Sequence, residues 1–505
     1  MSLRVSRRQR LWIPDIALAF SLLTLFYCLF VFDGWRQLFR DSDTGWHIRT
    51  GDMILDTQRL PNVDPFSFTR SGQRWYAWEW ASDVAMSIAH RSSGTAGVAL
   101  LYALAIAAAT YFWVRLCWHS GSEFAVVCAT VIPMLSTVNL HWLARPHIFS
   151  WLLTLAALLL ASRREVSFTV RGAVIVGALS IVWTNIHASF FLLPTMFLVF
   201  AVGNLMERWF IDPRRPATTV PLARLAGVAG LASLLNPYGW GTHWHVANYL
   251  TNSELLDRVG EFQSFNFHAA GSWQILLMLG LTALGAAFAL QQGKIAHFLW
   301  IVILLALALR SARGLPLVAL AALPLANGAI SAALREGLGL RLRFRRMLFA
   351  ATDYSQRLRQ IDRQLTGWAV APFVSMLLLL VTRGTANAGF PADQFPVQAA
   401  NKAVAGLPLA SRILAPDKFG GYLIYRFQGE RKVFFDGRSD FYGSDFMKRY
   451  IKLVEVRPGW RQELDAHAFT HALLPNTYSL IPALEQIGWK VLHRDELATL
   501  LGANE

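Results

Sequence analysis

Apolar residues occur along this chain in long runs, not in the short periodic patterns of a soluble core. A segment crosses the hydrocarbon core of a bilayer with about 20 mostly apolar residues, or fewer where neighbouring helices bury it. On this criterion the runs predict about eleven membrane-spanning helices and an all-α polytopic bundle. The predicted spans are residues 12–32, 96–117, 124–139, 148–162, 172–187, 188–206, 223–236, 273–290, 295–310, 315–332 and 368–383.

Arginine is concentrated in alternate connections between these runs. The connections at 163–171, 208–224 and 333–367 are rich in it, as is the stretch before the first run, whereas those at 140–147 and 310–314 are poorer. Cytoplasmic connections of membrane proteins carry the excess of Arg and Lys. The pattern therefore predicts a multi-pass protein with a cytoplasmic N-terminus. It places three segments on the extracytoplasmic side: residues 33–95, 237–272 and 384–505.

Composition supports this interpretation and excludes others. Only 16% of the 505 residues are charged, against about 25% in soluble proteins. The net charge of +15 comes from the connections, so it indicates topology, and no basic face points to nucleic acid. The three cysteines lie in or beside apolar runs, so neither disulfides nor a Cys-ligated metal is expected.

Two of the extracytoplasmic segments are long enough to carry structure of their own. Residues 33–95 exceed a plain connector; amphipathic helices are expected there, one over 44–58 with Asp43 or Thr44 as its N-cap. The composition changes after the last run, which divides the chain into a transmembrane domain, 1–383, and a small soluble α/β domain, 384–505. Within the second domain we expect strands at 422–427, 432–435 and 490–493 and helices at 457–466 and 481–488.

Acidic residues near the predicted membrane surface are the first candidates for chemistry. Asp41 and Asp43 follow the first span. A carboxylate partly withdrawn from water has a raised pKa and can act as a general base; the alternatives are cation binding, or helix capping with solvation. Glu79 lies between Trp78 and Trp80, where it needs a partner; the alternative to a catalytic role is a salt bridge to Arg74.

Polar residues recur at the predicted extracytoplasmic ends of other spans. Ionisable groups at such depth usually face cavities or partners, and Arg and His there suit the phosphate of a lipid-linked donor. The alternative for each is interfacial anchoring. The candidate phosphate-binding residues are Arg145, His147, His187, Arg310 and Arg313, with Trp46, His47, Trp78 and Asn185 as further residues lining the site.

Several of these motifs resemble a known superfamily. The run Asp43-Thr44-Gly45-Trp46-His47 and its continuations Asp64-Pro65-Phe66-Ser67 and Trp78-Glu79-Trp80 are similar to the first outer loop of the GT-C glycosyltransferases. These include protein mannosyltransferases and aminoarabinose transferases; the resemblance is closest to uncharacterised bacterial members. Later pieces that share it are Arg145-Pro146-His147, Asn185-Ile186-His187, Asn236-Pro237-Tyr238-Gly239, Gly420-Gly421-Tyr422 and Asp436-Gly437-Arg438.

The resemblance implies roles for particular positions. Asp43 matches the catalytic aspartate of the superfamily, while its usual Glu partner is replaced by Thr44, so that Asp41 or Glu79 would have to substitute. The Lys-Pro-Pro segment near the end of that loop is absent, which leaves the donor contacts unassigned. A divalent cation is possible but not required by this interpretation, so the metal and cofactors are left unknown.

The sequence thus predicts an inverting glycosyltransferase of a bacterial inner membrane. It would move a sugar from a polyprenyl-phosphate carrier to a glycan, lipid or protein acceptor on the extracytoplasmic face. The alternatives are a non-enzymatic transporter or assembly protein for envelope glycans, and a degenerate relative that binds lipid-linked sugar without transferring it. Transporters usually show internal repeats and broken helices, and neither is evident here. Donor sugar, acceptor and oligomeric state are not predicted.

Overall fold

A bundle of apolar helices forms most of the molecule. The structure is a computed structural model that describes residues 6–163, 165–337, 342–384 and 389–504. Within these ranges, five helical segments are long and apolar enough to cross a membrane: Arg8–Phe30, Trp80–His119, Ala188–Phe210, Ser272–Gln291 and Ala312–Glu336. Further apolar helices are Phe124–Asn139, His147–Ala161, Val170–Ile186, Thr219–Ala232, Ile295–Arg310 and Val370–Gly384. The chain is therefore a multi-pass membrane protein, as the hydropathy predicted.

Helices occupy every predicted span, and only the second departs widely from its prediction. That helix begins at Trp80 instead of residue 96 and is kinked at Ser93 and Gly94, whose backbone angles are not helical. Its first turns carry Asp83 and Arg91, which break the apolar run. The hydropathy pattern therefore predicted only the part of this helix that follows the kink.

Helices outside the bundle lie in its connections. Asp43–Thr57 was predicted almost to the residue, and Trp240–Thr251 follows the turn at Asn236–Gly239. The remaining helices before the C-terminal region are Arg7–Trp12, Ser253–Leu256 and Leu342–Asp362, with 3₁₀ turns at Gly34–Phe39, Ala188–Phe191, Gly260–Phe262 and Ala312–Gly314. A short π-helical stretch, Val318–Ala322, interrupts the helical segment Ala312–Glu336.

The C-terminal region contains a four-stranded sheet covered by helices. Its strands are β1 (Ile413–Leu414), β2 (His471–Pro475), β3 (Lys490–Arg494) and β4 (Ala498–Gly502). The spatial order is β1-β2-β4-β3; β1 is parallel to β2, and the other neighbours are antiparallel. The helices are Val397–Lys402, Asp417–Arg426, Ser439–Val454, Trp460–Ala466 and Leu480–Gln486, with a 3₁₀ turn at Val404–Gly406. The prediction of a small C-terminal α/β fold is confirmed.

Two predicted strands in this region are wrong. Residues 422–427 belong to the helix Asp417–Arg426, and the aromatic and β-branched residues that suggested a strand are buried because the helix packs between two layers. A Cβ on Gly420 would lie 1.8 Å from the carbonyl oxygen of Phe435, and one on Gly421 would lie 2.7 Å from that of Ser42. The Gly-Gly pair therefore permits close packing of a helix; it does not turn the chain into a strand.

Residues 432–435 are extended, but their partner is the first long loop. Val433 forms an isolated parallel bridge with Ser67, and its amide donates to the carbonyl of Phe66 at 2.9 Å. Side chains of the first loop also pack against side chains of the C-terminal region. Phe66 and Trp75 from the loop are buried in one cluster with Phe395 and Leu423 of the C-terminal region. The two segments therefore share a hydrophobic core although about 360 residues separate them, a long-range pairing of the kind that sequence patterns do not reveal.

The connections that carry these contacts meet on one side of the bundle, which we call the loop face. It is formed by residues 33–79, 140–146, 236–271, 311–314 and 390–504. The opposite side gathers arginine-rich connections: Arg335 pairs with Glu123 at 2.6 Å, and Arg359 donates to the carbonyl of Ser122 at 2.8 Å. That the loop face is extracytoplasmic stays a prediction from the arginine distribution.

Replacing Gly45 by alanine should loosen the contact between the first-loop helix and the C-terminal region. The new Cβ would lie 2.4 Å from the carbonyl oxygen of Gly421 and 2.9 Å from the Cβ of Tyr425. Both atoms are fixed by helical backbone, so we expect overpacking to cost about 1–3 kcal/mol. This exceeds the gain of about 0.5–1 kcal/mol from removing a helical glycine. The midpoint of thermal unfolding in detergent should fall.

The matched control for this substitution is Gly406→Ala, because no atom lies within 4 Å of its new Cβ. A Gly45→Ala protein that is as stable as this control would show that the two helices do not make the contact described here.

Candidate active site

Asp43 is the first residue of the helix Asp43–Thr57, and it is 5% exposed. Ser42 occupies the N-cap position without a side-chain capping bond, so the expectation that Asp43 or Thr44 caps the helix is wrong. The backbone N–H of Asp43 instead donates to Asp41 Oδ1 at 2.9 Å. This hydrogen bond fixes the backbone at Asp43, and the carboxyl of Asp43 makes its own contacts with other residues.

Those contacts centre on one guanidinium. Arg145 Nη2 forms an ion pair with Asp43 Oδ2 at 2.8 Å, and Nη1 donates to Asp41 Oδ2 at 2.8 Å and to Glu261 Oε1 at 3.3 Å. Arg313 donates from Nε to the other oxygen of Glu261 at 2.6 Å. We call these five residues the Arg145 cluster. It joins four connections of the bundle at the loop face.

The C-terminal region closes over the cluster at a single glycine. A Cβ on Gly437 would lie 1.8 Å from Asp43 Oδ1, so only a glycine lets the backbone approach the carboxyl this closely. Arg438, the next residue, holds the turn that contains Gly437 through two acidic side chains. Arg438 donates to Asp436 Oδ2 at 2.7 Å and forms an ion pair with Asp64 Oδ1 of the first loop at 2.8 Å, and all three side chains are buried.

Burial and neighbouring charge set the protonation of the cluster. Desolvation, with a smaller contribution from the charge of Asp41, raises the pKa of Asp43 to about 8, although Arg145 opposes the rise. Burial alone would raise the pKa of Glu261, but the charges of Arg313 and Arg145 outweigh it and lower that pKa. Three carboxyl groups face two arginines, so a single proton, held by Asp43 near neutral pH, makes the cluster neutral.

A second group of polar residues lies one helical turn along from Asp43. His47 Nδ1 and Asp83 Oδ1 are 2.5 Å apart, and His47 Nε2 lies 3.8 Å from Glu79 Oε2. The other oxygen of Glu79 lies 3.5 Å from His187 Nε2. Burial raises the pKa of Glu79 to about 7. Glu79 therefore sits between two imidazoles, and Arg74, its suggested partner, lies over the ring of Tyr76 instead.

The remaining predicted residues lie around these two groups. His147 Nε2 lies 2.9 Å from the carbonyl oxygen of His141, and Asn185 accepts from Trp80 Nε1 at 2.8 Å while donating to the carbonyl of Leu235. Both contacts hold the backbone in place. Trp46 lies against the His47 ring, with centroids 3.6 Å apart, and Trp78 stacks on His245 at 4.2 Å. Arg310 ends its helix with an exposed side chain. Phosphate binding by these residues stays a prediction.

Sequence reasoning missed three residues of the site. Glu261 lies in the predicted extracytoplasmic segment 237–272 and is part of no recognisable motif. The only indication was that Arg145 and Arg313 each needed an acidic partner. Asp83 follows Glu79 by one helical turn, a spacing visible once the helix is known to begin at Trp80. Gly437 was noted only as part of the run Asp436-Gly437-Arg438, without a role in the site. Among the residues that the structure describes, no three His, Cys, Asp or Glu side chains are grouped to hold a metal ion.

Two solved structures are similar to this chain. The crystal structure of the Archaeoglobus fulgidus oligosaccharyltransferase in the apo form is similar over 91% of this chain and 69% of its own, with a TM-score of 0.50 and 12% identity. This similarity shows that the chain has a GT-C-like fold. The match to ArnT from Cupriavidus metallidurans, solved bound to undecaprenyl phosphate, covers 96% of this chain and 97% of that protein, with a TM-score of 0.46 and 13% identity. No protein-family model and none of the curated proteins matches the sequence.

Replacing Arg145 by methionine should destabilise the protein strongly. The variant leaves the carboxyls of Asp41, Asp43 and Glu261 without their shared cation. Breaking a fully buried ion pair costs about 3–5 kcal/mol, and we expect the lower end of this range because Arg145 is 19% exposed. The loss should shrink as the pH falls, because protonating the uncompensated carboxyls removes their repulsion. Thermal or denaturant unfolding in detergent at several pH values measures both effects.

Arg310→Met is the matched control, since it removes an exposed arginine from the same side of the bundle. Its stability should stay within about 0.5 kcal/mol of the parent. Equal stability of the two variants would mean that the Arg145 cluster does not hold the loop face together.

Proposed function

We propose that this protein is an inverting glycosyltransferase that takes a sugar from a polyprenyl-phosphate carrier. The observation that carries the proposal is the placement of Asp43. Its carboxyl is buried at the start of a fixed helix, has a pKa of about 8, and pairs with Arg145, which shares Glu261 with Arg313. A general base works best when its pKa is near the working pH, and guanidinium groups suit a phosphate leaving group.

In the proposed reaction, the acceptor hydroxyl oxygen attacks the anomeric carbon of the donor sugar from the face opposite the phosphate. The new C–O bond forms as the bond from the anomeric carbon to the phosphate oxygen breaks, and the phosphate leaves with the electron pair. The hydroxyl proton passes to the ionised form of Asp43. Because the leaving group is already a phosphate, a general acid is less necessary than in glycosidases.

Arg145 and Arg313 are the proposed donors to the leaving phosphate. Charge that develops on its oxygens is stabilised by donors already fixed in place. Arg313 is oriented by stacking over Phe262 at 4.4 Å and by Glu261, which it shares with Arg145. A bound phosphate would compete with Glu261 for these donors, so Glu261 holds the arginines in position until the donor arrives.

The proposed carrier and the proposed location of the reaction are inferred from the sequence. A carrier with a long isoprenoid chain fits a site that opens beside apolar helices, and the motifs of the first loop resemble enzymes that use such donors. We place the reaction on the extracytoplasmic side of a bacterial inner membrane, following the arginine distribution. The acceptor in this general form of the proposal is a glycan, a lipid or a protein.

The absence of a Glu after Asp43 does not by itself favour a degenerate binding protein. Thr44 is buried, and its hydroxyl donates to the carbonyl of Ala144 at 3.0 Å, so this position holds the first loop against the bundle. Of the two candidate substitutes for the missing Glu, Asp41 fits better than Glu79, because Asp41 and Asp43 both pair with Arg145. Asp41 acts here as a positioning residue.

Replacing Asp43 by asparagine should abolish transfer without unfolding the protein. Loss of a general base typically costs about 10²–10⁴-fold in rate, whereas the volume of the side chain is kept. The measurement is release of polyprenyl phosphate from lipid-linked sugars extracted from the source membranes, with thermal stability checked in parallel.

The controls are Asp41→Asn and Glu79→Gln, each of which should lose less activity than Asp43→Asn. If Asp43→Asn transfers normally and one of these does not, a different carboxylate is the base. Normal transfer by all three would refute the mechanism.

The rate should depend on pH through the ionisation of Asp43. Since the base must be deprotonated, kcat/KM should rise with pH and level off above about 8. In Asp41→Asn the repelling charge of Asp41 is gone, and Arg145 has one carboxylate fewer to pair with besides Asp43 and Glu261. Both changes lower the pKa of Asp43, so the rising limb should move to lower pH. A limb that stays in place, or moves upward, would show that another group controls the rate.

A further inference from the structure

A cavity of about 690 Å³ opens on the loop face next to the Arg145 cluster. Such a volume is within the range of roughly 300–1,000 Å³ found for ligand sites. Three parts of the chain form its wall: the first loop, the helix Trp240–Thr251 with its flanking turns, and the start of the helix Ser439–Val454. The residues that matter for the argument are Tyr76, Trp78, Tyr238, His245, Asn248 and Asp440.

Aromatic rings make up one wall of this cavity. Trp78 lies edge-on to Tyr238 with centroids 5.1 Å apart, and Tyr76 lies edge-on to Tyr238 at 4.9 Å. The other side of Trp78 carries His245, stacked at 4.2 Å, and the ring of Tyr249 lies parallel to His245 at 6.5 Å. Each ring is thus fixed by its neighbours and lines the cavity. Interfacial anchoring does not explain an arrangement in which the rings pack on one another.

Polar side chains lie among the rings. Asp440 Oδ2 pairs with His245 Nε2 at 3.1 Å, so a carboxylate lies at the cavity wall. Asn248 adds an exposed amide from the next helical turn, and the Arg74 guanidinium lies over the Tyr76 ring at 5.2 Å. Amides, carboxylates and guanidinium groups fix the orientation of a ligand that carries many hydroxyls.

The chemistry of this lining selects one class of ligand. A lipid chain would leave the amide and carboxylate groups desolvated without partners, which is costly. A sugar ring presents both requirements at once: an apolar C–H face for the aromatic rings, and hydroxyls around its edge for the polar groups. We infer that the cavity binds the saccharide part of an acceptor, so that the acceptor is a glycan or a glycosylated molecule. This inference rests on the proposed function.

The cavity wall comes close to the Arg145 cluster at two points. Asp440 lies three residues after Gly437, which touches Asp43. Tyr249 contacts Phe262 with ring centroids 5.6 Å apart, and Phe262 carries Arg313. A saccharide held in the cavity would therefore bring a hydroxyl toward Asp43. The donor reaches the same point from the membrane, because its phosphate is fixed to a lipid.

The test uses a cysteine placed in the cavity. Asn248→Cys puts a thiol on an exposed position of the wall, whereas the native cysteines Cys28, Cys117 and Cys128 lie in the apolar helices. A membrane-impermeant maleimide should label the variant protein in detergent, and soluble trisaccharides should slow the labelling. The probes are trisaccharides of glucose, mannose, N-acetylglucosamine and a uronic acid, at millimolar concentration, with a hydroxyl-poor tripeptide as comparison.

The control variant is Lys490→Cys, on an exposed position of β3 away from the cavity; no sugar should protect its thiol. Adding Trp244→Ala to Asn248→Cys removes an exposed ring of the cavity lining. Protection should then weaken about tenfold, as expected for one stacking contact. Protection of the cavity thiol by at least one trisaccharide, weakened in this way, supports the inference. No protection by any of them, or protection by the tripeptide alone, overturns it.

A further arm separates donor from acceptor. If a short-chain polyprenyl-phosphate sugar protects the cavity thiol and no lipid-free trisaccharide does, the cavity holds the donor sugar and the inference is wrong. None of these measurements requires turnover, and they can be repeated in the Asp43→Asn background. Saccharide binding there, together with normal transfer by that variant, would refute the proposed mechanism while leaving the cavity assignment intact.

Discussion

The loop face depends on one positive charge that is largely withdrawn from water. The Arg145 side chain is only 19% exposed, and a charge with so little access to water is stable only when it is paired and hydrogen-bonded. The structure meets this requirement with three carboxyls from two separate connections, which ties the first loop and the segment around residue 261 to the same point. The protonation of Asp43 follows from this arrangement, since three acids and two bases cannot all be charged at low cost. The protonation of Asp43 and the anchoring of the loops therefore have the same electrostatic cause.

Close backbone approach is the second constraint, and it acts through glycine. The first-loop helix touches the C-terminal region where Gly45 meets Gly421, and the carboxyl of Asp43 meets the backbone at Gly437. These contacts exclude water from one side of the carboxyl, which strengthens the electrostatic interactions there. The C-terminal region is thus part of the site, since it supplies a wall that the transmembrane bundle lacks.

The sequence was informative for features that depend only on residues close together in the chain. Apolar helices follow from hydropathy alone, and the helix after Asp43 follows from its own residues, so the positions of both were predicted well. The number of helices that cross the membrane stays a prediction. Asp43 and Arg145 were identified because charged groups beside apolar runs are unusual. The helix Asp417–Arg426 was missed because its burial between two layers gives it the composition of a strand. Glu261 was missed because nothing in its neighbourhood in sequence indicates the two arginines that it joins.

The shared core of the first loop and the C-terminal region also bears on biosynthesis. Phe66 and Trp75 are made early, but the residues that bury them, such as Phe395 and Leu423, are made only after the helices of the bundle. Until those residues emerge, the first loop exposes aromatic surface that has no partner. The loop face can be completed only after the bundle has been synthesised. Nascent chains stalled near residue 390 would therefore present a bundle with an incomplete loop face, an intermediate prone to aggregation.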